Sequence, residues 1–269
     1  MSLGPTTDES GDKQTSRQAD KQANSSRAFP SPPLLVPWSW ITPTRLLALG
    51  IVCYIIAFTA AAWYKYATYQ MGFDLGVHEQ VLWNTAHGRI AATSAFADTE
   101  SYLGIDIIPT ELLLAPIYAL APSAYTMLFL QTLALALGAV PVFLLVRDRF
   151  GTEWAGLVFA AAFLLYLPVE YMNLYEFQIR AFATTFLLMA LYALERRRFR
   201  SFLLWSLLAL GCRSDVGFVV AGMGVYTLLD ERRKTKGERS TASSVLRPPS
   251  FVGFTLLPIA LGLGWVALC

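Results

Sequence analysis

Residues 45–64 read RLLALGIVCYIIAFTAAAWY. One cation opens the run, and no charge follows until Lys65. About 20 apolar residues are what a helix needs to cross the hydrocarbon core of a bilayer, at about 1.5 Å of rise each. The stretch therefore predicts a membrane span. Composition agrees: 55% of the 269 residues are hydrophobic and 15% are charged, where soluble domains carry about 25% charge.

Upstream, residues 1–33 are rich in Ser, Gln, Lys, Asp and Pro and predict a disordered cytoplasmic tail. No apolar h-region lies near Met1, so the first span is expected to act as an uncleaved signal anchor. Pro32, Pro33, Pro37, Trp38 and Trp40 suit an interfacial entry to it. Downstream, residues 65–123 are mixed in polarity, and apolar runs recur at 124–146, 154–169, 181–194, 201–212, 215–229 and 251–268. The expectation is an all-α, polytopic integral membrane bundle over residues 34–269. It would have about seven membrane helices, with interfacial helices in a first external loop at 65–123.

Lys and Arg set the orientation. If the N-terminus is cytoplasmic and 201–229 enters and returns as a short hairpin, all but four of the 21 cations are inside. The four outside are Lys65, Arg89, Arg180 and Arg213. The runs ERRRFR and ERRKTKGER then read as topology determinants facing anionic lipid, with no nucleic-acid partner expected. The predicted location is the cell (inner or plasma) membrane. Cys53, Cys212 and Cys269 lie apart in apolar sequence with no CxxC pair, so structural filling is expected of them.

This topology gathers the polar residues of interest on the outer side. MGFDLGVHEQVLWNTAHG, residues 71–88, follows the first span directly. A helix over 74–87 places Leu75, Leu82 and Ala86 on one side and Gln80, Asn84 and His87 on the other, as an interfacial helix would. Asp74 and His78 share an edge; Asp74 suits either an N-cap or a chemical role, and the two are compatible. HEQVL lacks the second His of HExxH, so a zincin site is not supported. Trp83 reads as an interface anchor.

Asp106 and Glu111 stand where apolar sequence resumes, either as solvated loop acids or as metal ligands or acid and base. Leu112–Leu120 is too short to span and suits a re-entrant or interfacial helix. In NLYEFQIRA, residues 173–181, Glu176, Gln178 and Arg180 alternate with Phe177 and Ile179, and Arg180 suits an anionic partner. CRSD, residues 212–215, sets Arg213 and Asp215 in an apolar run. A charge at membrane depth costs about 2.5–3.5 kcal/mol on insertion scales, so it is either a functional group or half of a self-neutralising interfacial turn.

These segments in this order resemble the bacterial and archaeal membrane-protein family called domain of unknown function 2079. The residues that carry the likeness are FDLG at 73–76 with Gln80, Trp83, Asn84 and Gly88, then LLLAPIYALAPS and LQTLALALGAVPVFLL, NLYEF at 173–177, LYALERRR at 191–198 and CRSDVG at 212–217. The likeness covers roughly residues 45–250. Asp74, Glu176 and Asp215 fit the family pattern. Where the family commonly has His, this chain has Asp106 and Gln178, which argues against a His-based metal site. Family members are usually longer, so a truncated member is one expectation.

The family has no settled activity, and its layout resembles that of GT-C-type glycosyltransferases. That resemblance implies transfer of a sugar from a polyprenyl-phosphate donor at the extracytoplasmic face. Asp74 would be the general base. Arg213 or Arg180 would hold the donor phosphate, and Glu176, Asp106 and Asp215 would orient acceptor or metal. Asn84 joins the substrate-binding candidates. The cofactor is left unknown, with a divalent cation as one option, and membrane lipid is the expected surrounding. Two alternatives stand beside this reading: a transporter or flippase for a lipid-linked or small anionic solute, and a noncatalytic membrane protein.

Overall fold

The computed structural model describes residues 42–237 and 252–269. The tail at 1–33, Trp38 and Trp40, and much of the 232–247 basic run lie outside the described residues.

Among the described residues the fold is all-helical, with one isolated bridge between Ala92 and Ser101. Helix α1 spans Pro43–Ala67. Thr42 caps it by accepting from the Arg45 amide, and Pro43 takes the first turn, where a missing N–H costs nothing. Helix α2 (Phe73–Ala86) follows, then a 3-10 turn at Tyr102–Gly104 and two single turns, α3 (Pro109–Leu112) and α4 (Ala115–Tyr118). Helices α5 (Ala124–Leu137) and α6 (Ala139–Phe150) run on as one apolar stretch of 27 residues. Gly151, at φ 71°, closes α6 in the left-handed conformation that glycine adopts most easily. Thr152 then caps α7 (Glu153–Leu164). Helices α8 (Leu167–Tyr175), α9 (Arg180–Glu195), α10 (Phe199–Leu210), α11 (Val216–Gly237) and α12 (Leu257–Leu268) complete the chain, α12 entered through a π-helical turn at Val252–Leu256.

Helix α1 and the α5–α6 stretch are each long and apolar enough to cross a membrane. A third candidate is α7 with α8, a pair bent by 43°. The expected seven spans are not reached on this criterion, for a reason of length. Helix α9 has 16 residues and α10 has 12, so α10 rises about 18 Å against a core of about 30 Å. Helix α1 shows its environment most directly. Leu49, Val52, Ile56 and Trp63 all face outward. An apolar helix exposed over most of its surface suits hydrocarbon rather than water.

Helices α11 and α12 pack almost backbone to backbone. A methyl group on Gly217 would meet the Gly262 carbonyl at 2.5 Å, and one on Gly224 would meet the Thr255 carbonyl at 2.7 Å. Small residues at such spacing permit this approach in membrane proteins. The main core gathers Leu75, Leu82, Met127, Phe177, Phe182 and Leu210, so α2 packs into the bundle instead of lying on it.

Candidate functional site

The cavity that matters begins with how α2 is anchored. Its N-cap position is Gly72, which has no side chain to offer. The Glu176 carboxylate does the capping, accepting from the Leu75 amide at 3.1 Å across 101 residues of sequence. A methyl group on Gly72 would stand 2.6 Å from Glu176 Oε1, so glycine makes room for that carboxylate. Negative charge at a helix N-terminus is favourable in itself. Asp74 is therefore one residue inside the helix and is not its N-cap.

The 176–178 segment is held from behind. Buried Gln131 of α5 donates through Nε2 to the carbonyls of Met172, Asn173 and Glu176 and accepts from the Gln178 amide. Lys65, at the end of α1, donates to the carbonyls of Leu174 at 2.6 Å and Tyr175 at 3.1 Å. These bonds satisfy the C-terminal carbonyls of α8, which a helix leaves without partners. Fixed in this way, Gln178 Nε2 donates to Asp74 Oδ2 at 2.9 Å.

Asp74, His78, Tyr102, Asp106, Ile108, Gln178, Ile179, Arg180 and Arg213 line one cavity of about 190 Å³. Four candidates read from the sequence, Asp74, Asp106, Arg180 and Arg213, are thus brought together. Asp215 sits beside it, exposed, 3.8 Å from Arg180 and 3.5 Å from Arg213. Each lies at a helix end or in a connection: Asp74 in the first turn of α2, Arg180 at the start of α9, and Arg213 between α10 and α11.

Glu176 is close by, but its carboxylate is engaged at the α2 terminus. Asn84 does not line the cavity; it is buried and donates to the Ala92 carbonyl at 2.7 Å. This corrects the expected polar face of α2. Residues 89–102 fold back over it, and Gln80 binds Thr93 and Ser94 there while Asn84 binds Ala92.

The sequence does not announce the most deeply buried ion pair among the described residues. His78 Nδ1 lies 2.8 Å from Glu111, whose side chain is wholly buried. Burial alone lowers the His78 pKa, but the charge and hydrogen bond of Glu111, with Asp74 and Asp106 beyond, outweigh it and raise the pKa above the ordinary histidine value. The Phe177 and Tyr102 rings flank the imidazole at 5.5 and 5.3 Å. The four-residue spacing from Asp74 was the only signal for His78. The 33-residue separation from Glu111 left none.

No group of three or more His, Cys, Asp or Glu side chains among the described residues could hold a metal ion. The side chains present among the described residues do not make the donor set that a divalent cation needs.

Apolar helices exposed along their length and a polar cavity at their ends define an all-helical membrane protein. Residues 65–269 match the family model described as "Predicted membrane protein (DUF2079)", and the chain belongs to that family. No curated protein and no solved structure matches the chain.

Proposed function

We propose that the protein transfers a sugar from a polyprenyl-phosphate donor to a hydroxyl acceptor at the extracytoplasmic face. One observation carries the reading. A carboxylate with one oxygen held by Gln178 shares a small polar cavity with two arginines, and an apolar depression adjoins it. That depression, about 300 Å³, is lined by Pro168, Tyr171, Met172, Tyr175, Gln178 and Arg180. Gln178 and Arg180 belong to both spaces, so an anionic head and an apolar tail could be held across their junction. Arg180 Nε is buried there without a hydrogen-bond partner, which suits a donor awaiting an acceptor on the ligand.

In this reading Asp74 takes the proton of the acceptor hydroxyl through its free oxygen as that hydroxyl attacks the anomeric carbon. Arg180 and Arg213 hold the phosphate and stabilise the charge that grows on it as the bond to the sugar breaks. Asp215 balances the two arginines at the rim, and Asp106 faces the acceptor side. Glu176 positions α2. The cation distribution supports an N-in orientation, with which the cavity would face outside.

Transport is the second reading, and the 43° break between α7 and α8 is its observation, since transporters use broken helices. The residues at the break, Leu165 and Tyr166, do not line the cavity. The test is to reconstitute the full chain with labelled polyprenyl-phosphate sugars and compare it with Asp74→Asn. Turnover should appear with at least one donor and fall about 10²–10⁴-fold in the variant. Undiminished turnover would remove Asp74 as base, and no turnover with any donor would favour transport.

A further inference from the structure

Asp74 and both arginines leave idle the most buried ionisable pair among the described residues. Glu111 has no exposure to solvent and His78 has 7%. Burying such a pair is expensive, and it is tolerated only where the partners satisfy one another. Glu111 takes Nδ1 through both carboxylate oxygens, at 2.9 and 2.8 Å. His78 nevertheless lines the cavity, and its hydrogen bonds to Glu111 run through Nδ1, leaving Nε2 on the other side of the ring. A carboxylate behind Nδ1 fixes the ring and its tautomer and stabilises the imidazolium, which leaves the other nitrogen to exchange protons with a ligand.

The surroundings decide which way the proton goes. From its own helix His78 faces Asp74; from the 102–106 segment, Tyr102 and Asp106; from α3, Glu111; and across the cavity, Arg180 and Arg213. Glu111 is in contact with the ring, Asp74 and Asp106 add their charges from farther off, and two arginines face it across the cavity. An imidazolium is the charge state these carboxylates favour, so the ring enters a reaction as an acid.

We propose that His78, positioned by Glu111, is the proton donor of this cavity and delivers its Nε2 proton to a phosphate oxygen held by Arg180 and Arg213. The proposal rests on the glycosyl-transfer reading and completes its proton balance. The acceptor oxygen forms its bond to the anomeric carbon while the bond from that carbon to the phosphate oxygen breaks. The acceptor proton goes to Asp74, and the departing phosphate oxygen takes the His78 proton. Exchange with solvent returns Asp74 to carboxylate and His78 to imidazolium.

The test exploits the presence of only two histidines, His78 and His87. The full chain in detergent, carrying isotope-labelled histidine, is titrated by NMR, with His87→Asn assigning the signals. His78 should hold its proton to higher pH than an ordinary histidine, and Glu111→Gln, which keeps the shape of the side chain, should move its midpoint to lower pH. In the transfer assay His78→Gln should reduce turnover about 10²–10⁴-fold. Glu111→Gln should shift the alkaline limb of the pH–rate profile to lower pH, which a purely structural role would not do. A wild-type His78 that titrates as an ordinary histidine and ignores Glu111→Gln overturns the proposal, whatever the assay gives. Full turnover in His78→Gln also overturns it. A Glu111-dependent titration with no turnover for any donor sinks glycosyl transfer and retains His78 as the proton-carrying group of the site.

Discussion

Helix α9 carries a charged cluster at each end, and the two are built differently. At its start, Arg180 joins Asp74, His78, Asp106 and Arg213 around a cavity of about 190 Å³, with Glu111 buried behind His78. At its end, Glu195 and Arg196 join Asp148, Arg149 and Tyr226 around a larger space of about 900 Å³. In the larger one Asp148 bridges Arg147 at 3.2 Å and Arg196 at 2.6 Å, and Tyr226 donates to Glu195 at 2.7 Å. Most of these charges are solvated and answered by a neighbour. In the smaller one a histidine–carboxylate pair is buried, an arginine nitrogen lacks a partner, and two cations face carboxylates across a confined space. Neither cavity size nor number of charges separates the two clusters. Burial does, because an ion removed from water interacts strongly with the few groups it still meets.

Substitutions in the two clusters should differ sharply in their effects. The largest effect belongs to Glu111→Ala. It strips the buried pair of its anion and should cost about 3–5 kcal/mol in thermal or denaturant unfolding, as breaking a buried pair does. The same pair predicts a pH dependence. The folded-state pKa of His78 lies above its unfolded value, so its contribution is complete below about pH 6.5 and is lost as pH rises through the raised value. The melting temperature should fall over that alkaline window, and Glu111→Gln should flatten the fall. A flat wild-type profile would show that the pair does not titrate with folding.

Gln131→Leu comes next. It leaves the carbonyls of Met172, Asn173 and Glu176 and the Gln178 amide without their buried partner. Unsatisfied buried groups cost about 1–3 kcal/mol each where no water replaces the bond. Faster hydrogen exchange at 176–178 and at the α2 N-terminus, through the loosened Glu176 cap, would report the loss. The smallest effect is expected at the other end of α9. Asp148→Asn should leave the melting temperature unchanged within error, since solvated ion pairs contribute little. A marked loss there would erase the contrast between the two clusters.

Much of the fold was legible because its signals are local. The run at 45–64 announced α1; CRSD announced the turn between α10 and α11; the gap between the apolar runs at 124–146 and 154–169 announced the break between α6 and α7. Span number was less legible, because hydropathy marks apolar sequence without fixing where a helix ends: the run at 154–169 breaks at Leu165–Tyr166 and resumes as α8. At the site, Asp74, Asp106, Arg180 and Arg213 could be named from chain chemistry and family resemblance. Their shared cavity, and the reassignment of Glu176 and Asn84 to backbone contacts, could not.

The sequence by itself determined that this is an apolar, helical, membrane-type chain with its unusual polar residues near helix ends, since composition and periodicity are properties of neighbours along the chain. Tertiary structure alone decided which of those residues meet. Glu176 caps a helix 101 residues upstream, and Glu111 finds His78 across 33. Hydrogen bonds and desolvation act over a few ångströms of space, and a linear pattern carries no record of that distance.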